Sequence, residues 1–266
     1  IYKGGIVIKS MHGFLGVNEL PEIIGLILTY LTVIVIINSF NLIDGVDGLA
    51  AGLGIFTTLT FGMYFYVAAH AEYAALAFAM CGSLLAFLIF NRSPARIFMG
   101  DTGSLLIGLI NAILVVQFIN IAGSPGALVP FPASPAIAIA ILIIPLFDTL
   151  RVFSIRIFNR RSPFSPDRNH IHHILLDRGM SHKAVSFVLI VVNIFFVAVA
   201  YLLSFVSINI LIPVLITLAF GGFTLVYLRK PRLMVVATAD NEDILQLTKP
   251  SRILPLTPAK KAAEHN

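Results

Sequence analysis

Four oxygen-bearing side chains recur at three-residue intervals directly after an apolar run that ends at Ile37. They are Asn38, Asn41, Asp44 and Asp47, in the stretch N-S-F-N-L-I-D-G-V-D-G. Carboxylate and amide oxygens bind hard cations such as Mg²⁺, and the interspersed glycines let the backbone approach a ligand closely. Because carboxylates at a membrane boundary are costly, they usually have a function. The alternative is a polar loop that only caps a membrane helix.

A second polar stretch, N-R-S-P-A-R-I-F-M-G-D-T-G-S, runs from Asn91 to Ser104. Asp101 lies between two glycines at a predicted helix start, where it could frame a metal or phosphate site or could only cap the helix. Phe98 could stack on a planar base or could face lipid. This stretch therefore predicts a second part of a ligand site, with both alternatives open.

A third polar region extends from Asp148 to His173 and contains several arginines followed by S-P-F-S-P-D-R-N-H-I-H-H. His170, His172 and His173, close to Arg168, favour a polar and partly cationic loop that binds phosphate groups. A zinc site is the alternative, but the spacing does not suit one helix face and lacks a matched fourth ligand nearby. The arginines alone could simply be anchors on the cytoplasmic side of a membrane.

The composition is that of an integral membrane protein. Of the 266 residues, 58% are hydrophobic and 12% are charged, whereas soluble domains carry about 25% charged residues. Seven apolar segments approach the ~20 residues that cross a bilayer as a helix. They lie near 21–40, 48–69, 73–90, 103–122, 134–153, 184–205 and 208–228. The fold class predicted is therefore an all-α polytopic membrane protein with about seven transmembrane helices.

Three parts of the chain follow from these segments. Residues 1–20 are predicted to be an extracytoplasmic segment that could form a hairpin, with Ile6-Val7-Ile8 as a strand and turns at Gly4-Gly5 and Gly13. Residues 21–228 are the transmembrane domain, and residues 229–266 are a cytoplasmic tail. The single cysteine, Cys81, excludes a disulfide framework or thiolate metal site within the chain.

The basic residues are distributed asymmetrically along this predicted topology. If the loop after the first segment is cytoplasmic, 16 of the 18 lysines and arginines lie on that side. All three polar regions then face the cytoplasm beside the bilayer, and the net charge of +5 is no nucleic-acid signal. Oxygen ligands for Mg²⁺ and cations for phosphates, next to lipid, suit phosphoryl transfer between a soluble nucleotide and a lipid substrate.

The three regions together resemble the signatures of the polyprenyl-phosphate N-acetylhexosamine-1-phosphate transferases, in the same order from about Pro21 to Tyr227. The resemblance is strongest to the bacterial branch that acts on undecaprenyl phosphate and GlcNAc. It implies Mg²⁺-dependent transfer, with Mn²⁺ as the alternative ion, of N-acetylhexosamine 1-phosphate from a UDP-N-acetylhexosamine to undecaprenyl phosphate, with release of UMP. It also implies a multi-pass protein of the bacterial inner membrane whose active site faces the cytoplasm, and it leaves a homodimer open.

The resemblance also implies roles for particular residues. Asn41 and Asp101 would bind the metal, and Asp44 would lie at the catalytic centre. Asp47 and Asn91 would help to hold the nucleoside, and Phe98 would stack on uracil. Asp47 and Asp101 would also be catalytic residues, and Asn38 would be a further substrate-binding residue. The phosphate or sugar would meet a catalytic group formed by His170, His172 and His173, with Arg168 as a further substrate-binding residue.

Family members carry further N-terminal helices and an aspartate pair on an earlier cytoplasmic loop, whereas residues 1–20 contain no Asp. We therefore expect this chain to be the C-terminal part of an enzyme and to be inactive alone. Within the family, the alternative is a phospho-MurNAc-pentapeptide transferase. Outside it, the alternatives are a transporter that binds a cation at its carboxylates and a non-catalytic scaffold.

Overall fold

The computed structural model describes residues 4–160, residue 162 and residues 170–228. These residues fall within one unit, 1–232, of the two into which the chain divides. The described part has the following elements in chain order: β1 (Ser10–Phe14), β2 (Val17–Glu19), α1 (Glu22–Ile43), α2 (Leu49–Val67), α3 (Ala71–Asn91), α4 (Gly100–Ala122), α5 (Ser134–Ile141), α6 (Ile143–Phe158), α7 (Ile171–Leu176), α8 (His182–Leu202) and α9 (Ile208–Leu228). The tail 229–266 and Arg168 lie outside the described residues.

The length and apolar composition of the helices account for their formation. Six of them are long and apolar enough to cross a membrane, and the bent pair α5–α6 makes a seventh if it is counted as one span. Helices satisfy every backbone amide internally, which lipid demands. Side chains such as Ile23, Ile27 and Ile34 remain more than half exposed on α1, as expected for a surface that faces lipid tails. The all-α polytopic prediction is confirmed.

The fifth apolar segment is not the single helix that the sequence predicted. α5 and α6 meet at an angle of 83°. Pro145 lacks an amide hydrogen, and its ring conflicts with the carbonyl four residues earlier, that of Ile141. Asn193 of α8 replaces the lost pairing, since its Nδ2 donates to the Ile141 carbonyl at 2.8 Å and its Oδ1 accepts from the Ile144 amide at 3.2 Å.

The hairpin lies later in the chain than predicted. β1 and β2 pair antiparallel, and the turn between them uses positive φ at Leu15 and Gly16, while Gly13 lies inside β1. The strand prediction for Ile6-Val7-Ile8 was wrong. Ile8 is buried against α1 instead, and its amide donates to Thr29 Oγ1 at 2.9 Å. Contact with a helix has replaced a strand ladder there.

The polar end of α1 meets the polar start of α4, since Asn41 is hydrogen-bonded to Asp101 and Ser104. α4 approaches α1 closely at Gly108, where an added Cβ would lie 2.6 Å from Ile37 Cα. Only a residue without a side chain allows two helix backbones to come this close. This contact fixes the spacing between the end of α1, with Asn41, and the start of α4, with Asp101.

Candidate active site

The first two polar regions touch each other directly. The Asn41 side chain, in the last turn of α1, donates from Nδ2 to Asp101 Oδ1 at 3.1 Å and to Ser104 Oγ at 3.1 Å. Asp101 lies in the first turn of α4, whose N-cap is Met99. The explanation of Asp101 as a helix N-cap is therefore wrong. Its carboxylate is exposed beside the Asn41 amide and remains available to a ligand.

Asp44 directly follows α1 and is half-buried next to this pair. Burial, together with the negative charge of Asp101, raises the pKa of Asp44 to about 6. A carboxylate whose pKa is raised by a neighbouring carboxylate marks a place where a cation would relieve the repulsion. Asp44 thus titrates near neutral pH, which suits a group that exchanges a proton.

Asp47 is held from two sides. Its Oδ2 accepts from the Ala95 amide at 3.3 Å, and its Oδ1 lies 3.6 Å from His182 Nδ1 at the start of α8. Its backbone carbonyl accepts from Ser186 Oγ at 2.8 Å. The loop that carries Asp44 and Asp47 is therefore fastened to the loop before α4 and to α8.

Asn91 differs from the role expected of it. Its side chain is 4% exposed, its Oδ1 accepts from the Gly48 amide, and its Nδ2 donates to the Ile97 carbonyl, both at 2.9 Å. Since both polar atoms bind backbone, Asn91 joins the first and second regions rather than facing a nucleoside. Phe98, by contrast, is 79% exposed.

Asn38 is the other residue whose surroundings bear on a substrate role. It lies within α1, and its Nδ2 donates to the Ile34 carbonyl at 2.7 Å, inside the same helix. That bond leaves the Oδ1 atom and the second Nδ2 hydrogen of Asn38 as the groups through which it could meet a substrate. The expected role of Asn38 therefore stays a prediction.

The three histidines lie at the start of a short helix rather than in an open loop. His170 is the N-cap residue of α7, and His172 and His173 lie in its first turn. The rings of His170 and His172 stack with centroids 5.6 Å apart, and those of His172 and His173 are 4.4 Å apart. His172 abuts the first region, because a Cβ added at Gly45 would lie 2.5 Å from His172 Nε2.

His172 corrects the expectation of a cationic loop at this position. It is 1% exposed, and burial lowers its pKa to about 4, with the neighbouring histidines acting in the same direction and Asp148 opposing them. The ring is therefore neutral at pH 7. It can donate and accept hydrogen bonds, but it supplies no positive charge to a phosphate.

Comparisons with known proteins agree with this arrangement. Residues 1–119 match the model of glycosyl transferase family 4. Over these residues the chain is similar to glycosyl transferase family 4. It is 38% identical over 169 residues to a Bacillus subtilis protein named probable undecaprenyl-phosphate N-acetylglucosaminyl 1-phosphate transferase. The matched region covers 64% of this chain and 45% of that protein.

Two further relatives carry related names. The chain is 36% identical over 170 residues to the undecaprenyl-phosphate alpha-N-acetylglucosaminyl 1-phosphate transferase of Escherichia coli K12, covering 62% of this chain and 44% of that protein. It is 36% identical over 191 residues to the decaprenyl-phosphate N-acetylglucosaminephosphotransferase of Mycolicibacterium smegmatis, covering 64% and 45%. The chain spans about half the length of the curated relatives that it matches.

The side chains that could coordinate a metal at this site are of the kinds that suit Mg²⁺ better than zinc. Among the described residues, no group of three His, Cys, Asp or Glu side chains lies close enough to hold a metal, which argues against zinc at the histidines that fall within them. Mg²⁺ needs fewer protein ligands, since it commonly binds one or two carboxylates together with substrate phosphates and water. Asp101, with the Asn41 amide beside it and Asp44 nearby, provides that set.

The sequence alone assigned no role to two residues that contribute to the site, His182 and Asp148. His182 contacts Asp47 from α8, and Asp148 of α6 is buried against His170 and Arg151. Asp148 and Arg151 are three residues apart, which is the spacing of an ion pair within a helix. Their pairing could therefore have been predicted from the sequence. The contact between His182 and Asp47 joins residues 135 apart in sequence and had no local signal.

Proposed function

We propose that the protein transfers N-acetylhexosamine 1-phosphate, with GlcNAc as the first candidate sugar, from a UDP-sugar to undecaprenyl phosphate and releases UMP. The observation that carries this proposal is the contact between Asn41 and Asp101, which joins two polar regions 60 residues apart at the end of the helix bundle. The names of the relatives support the same reaction.

In this proposal, Asp101 and Asn41 would hold Mg²⁺, Asp101 through its carboxylate and Asn41 through its amide oxygen. When bound, the ion neutralises diphosphate charge and so lowers the repulsion that a second phosphate meets. Asp101 needs no rearrangement for this role, because its carboxylate already lies at the start of α4. The dipole of that helix N-terminus also favours negative phosphate groups nearby.

The reaction forms one bond and breaks one. An oxygen of the lipid phosphate bonds to the β-phosphorus of the UDP-sugar, and the bond from that phosphorus to the bridging oxygen breaks, so that the oxygen leaves with UMP. Asp44 accepts the proton that a singly ionised lipid phosphate carries. A pKa of about 6 for Asp44 is close to the second pKa of a phosphate monoester, about 6, so this proton transfer is nearly balanced.

The nucleoside end of the substrate is assigned to the exposed side of the second polar region. The Phe98 ring is exposed there and offers a surface on which uracil can stack. Asp47, fixed by Ala95 and His182, accepts hydrogen bonds from the nucleoside. His172 and His173 approach the sugar phosphates from α7, with His172 acting as a neutral hydrogen-bonding group. The 16 of 18 basic residues on one side favour a site that faces the cytoplasm of a bacterial inner membrane.

The test is UMP release in detergent by the product of the complete reading frame, supplied with UDP-GlcNAc and undecaprenyl phosphate. We expect release that needs Mg²⁺ and that Asp101→Asn lowers by at least about 100-fold. Glu72→Gln is the matched control, because it makes the same carboxylate-to-amide change in the first turn of α3, at the end of that helix away from Asn91. This variant should retain activity.

Three results would contradict the proposal in whole or in part. Absence of UMP with every UDP-N-acetylhexosamine would remove the transferase assignment and leave a transporter or scaffold. Release from UDP-MurNAc-pentapeptide alone would move the protein to the other branch of the family. Release that does not depend on Mg²⁺ would remove the metal role of Asn41 and Asp101.

A further inference from the structure

Asp148 is a buried carboxylate at which three separate donors converge. It is 1% exposed and lies in α6. Its Oδ2 lies 2.9 Å from His170 Nδ1, and its Oδ1 accepts at 2.9 Å from both the Ile171 amide and Arg151 Nη2. A buried carboxylate without such partners would be very costly. The burial of Asp148 therefore depends on these donors staying in place.

Two of those donors belong to the start of α7, more than twenty residues farther along the chain. Ile171 is the first residue of α7, and its amide would have no partner within the helix. α7 has only six residues, and so short a helix is not stable by its own hydrogen bonds. Its position is therefore set by tertiary contacts, among which the bonds to Asp148 are charge-assisted and therefore strong.

The other side of Asp148 is fastened to α9. Arg151, which is 6% exposed, places its guanidinium carbon 4.3 Å from the centre of the Phe223 ring. Arg178, just after α7, donates to the Val226 and Tyr227 carbonyls near the end of α9. α6 and α7 are thus both held against α9, so the pair formed by Asp148 and His170 does not depend on a single contact.

The consequence appears at His172, one residue after the anchored amide of Ile171. His172 lies against Gly45, between the two aspartates of the first polar region. A displacement of the start of α7 therefore moves the His172 ring relative to Asp44. Asp148 itself touches neither Asp44 nor Asp47 by any hydrogen bond of the described residues.

We propose that Asp148 is a positioning residue: by binding His170 Nδ1 and the Ile171 amide, it holds His172 against the Asp44–Asp47 loop in the geometry that the transfer reaction needs. This inference rests on the function proposed above, and it gives α6 a part in the reaction that acts through His172.

The test is a double-mutant cycle between Asp148 and His172 in the UMP-release assay. Asp148→Asn keeps the shape of the side chain but removes its charge. We expect it to lower kcat by about 10- to 100-fold, as small misplacements of catalytic groups do, with the KM for UDP-GlcNAc changed by less than about threefold. In a His172→Ala background, the same substitution should change kcat by less than about twofold.

A stability control separates positioning from folding. Thr29→Val removes another fully buried polar group, in α1 three turns before Asn41, and leaves the Ile8 amide without its bond to Thr29 Oγ1, so it should lower the thermal midpoint without lowering kcat. If Asp148→Asn does not yield folded protein, Ile171→Pro is the second variant. It removes the amide that donates to Asp148, while proline suits the first helical position and His170 already has the extended backbone that precedes a proline. It should lower kcat by about tenfold.

The outcomes are distinct. A wild-type kcat in Asp148→Asn, or losses that multiply in the double variant, would overturn the positioning role while leaving the transferase function intact. Wild-type protein that releases no UMP would remove the proposed function and this inference together. A loss in Asp148→Asn that disappears in the His172→Ala background would support the inference.

Discussion

Replacing Gly45 with alanine would press directly on the contact between the first polar region and α7. The new Cβ would lie 2.5 Å from His172 Nε2, whereas ordinary contacts begin at 3.4 Å, so the ring must retreat by about 0.9 Å. It has little room to do so, because it is 1% exposed and lies between the rings of His170 and His173. A misplacement of about 1 Å can cost about 100-fold in rate, and overpacking costs about 1–3 kcal/mol in the free energy of unfolding.

We therefore expect Gly45→Ala to lower kcat for UMP release by about 30- to 100-fold and to lower the thermal midpoint slightly. Gly82→Ala is the control, since an added Cβ in α3 meets no atom within 4 Å. In a His172→Ala background, the effect of Gly45→Ala should largely vanish, because the group that it displaces is gone. A Gly45→Ala protein with wild-type kcat would show that the position of His172 does not matter to the reaction and would refute the reasoning.

Three other perturbations have defined outcomes. kcat/KM should peak near pH 6, because the transfer needs Asp44 ionised, with its pKa raised to about 6, and the lipid phosphate singly ionised, with a second pKa of about 6; well away from the peak it should fall about tenfold per pH unit on either side, and a flat profile between about pH 5 and pH 8 would exclude Asp44 as the proton acceptor. Gly108→Ala should lower the free energy of unfolding by about 1–3 kcal/mol, because its Cβ would lie 2.6 Å from Ile37 Cα, and a detergent melt unchanged from wild type would contradict that close approach. Asn91→Ala should cost about 1–3 kcal/mol in the same melt through the loss of its bond to the Gly48 amide and leave that amide unpaired, whereas a neutral effect would mean that the two loops are joined by other means.

The membrane fold was predictable because its main signal is local. A long apolar run in lipid can only be a helix, so six of the seven predicted segments coincide with helices to within a few residues. The exception was the fifth segment, where Pro145 was visible in the sequence but its effect depends on Asn193. Hydropathy alone does not show whether a helix continues through a proline or breaks there. The break occurs here because a distant side chain, that of Asn193, pairs with the backbone groups at the bend.

The residues of the site were easier to predict than their contacts and protonation states. The family resemblance placed Asn41 and Asp101 in one site, and the structure brings Asn41 Nδ2 to 3.1 Å from Asp101 Oδ1. The protonation of His172 was not predictable, because it follows from burial by residues far along the chain. The same holds for Asp148, whose importance depends on a partner 22 residues away. Burial and long-range pairing are properties of the folded chain rather than of any motif.

The bend between α5 and α6 also bears on how the protein fits its membrane. The eight residues of α5 rise only about 12 Å along the helix, well short of the roughly 30 Å of hydrocarbon in a bilayer. Since α6 turns away by 83°, it adds little to that depth, whereas α1 and α4 are each long enough to cross. α5 can nevertheless be this short, because six of its eight residues are buried among other parts of the protein rather than facing lipid. The break in the apolar span is consequently surrounded by protein, which is where a membrane protein tolerates an interrupted helix.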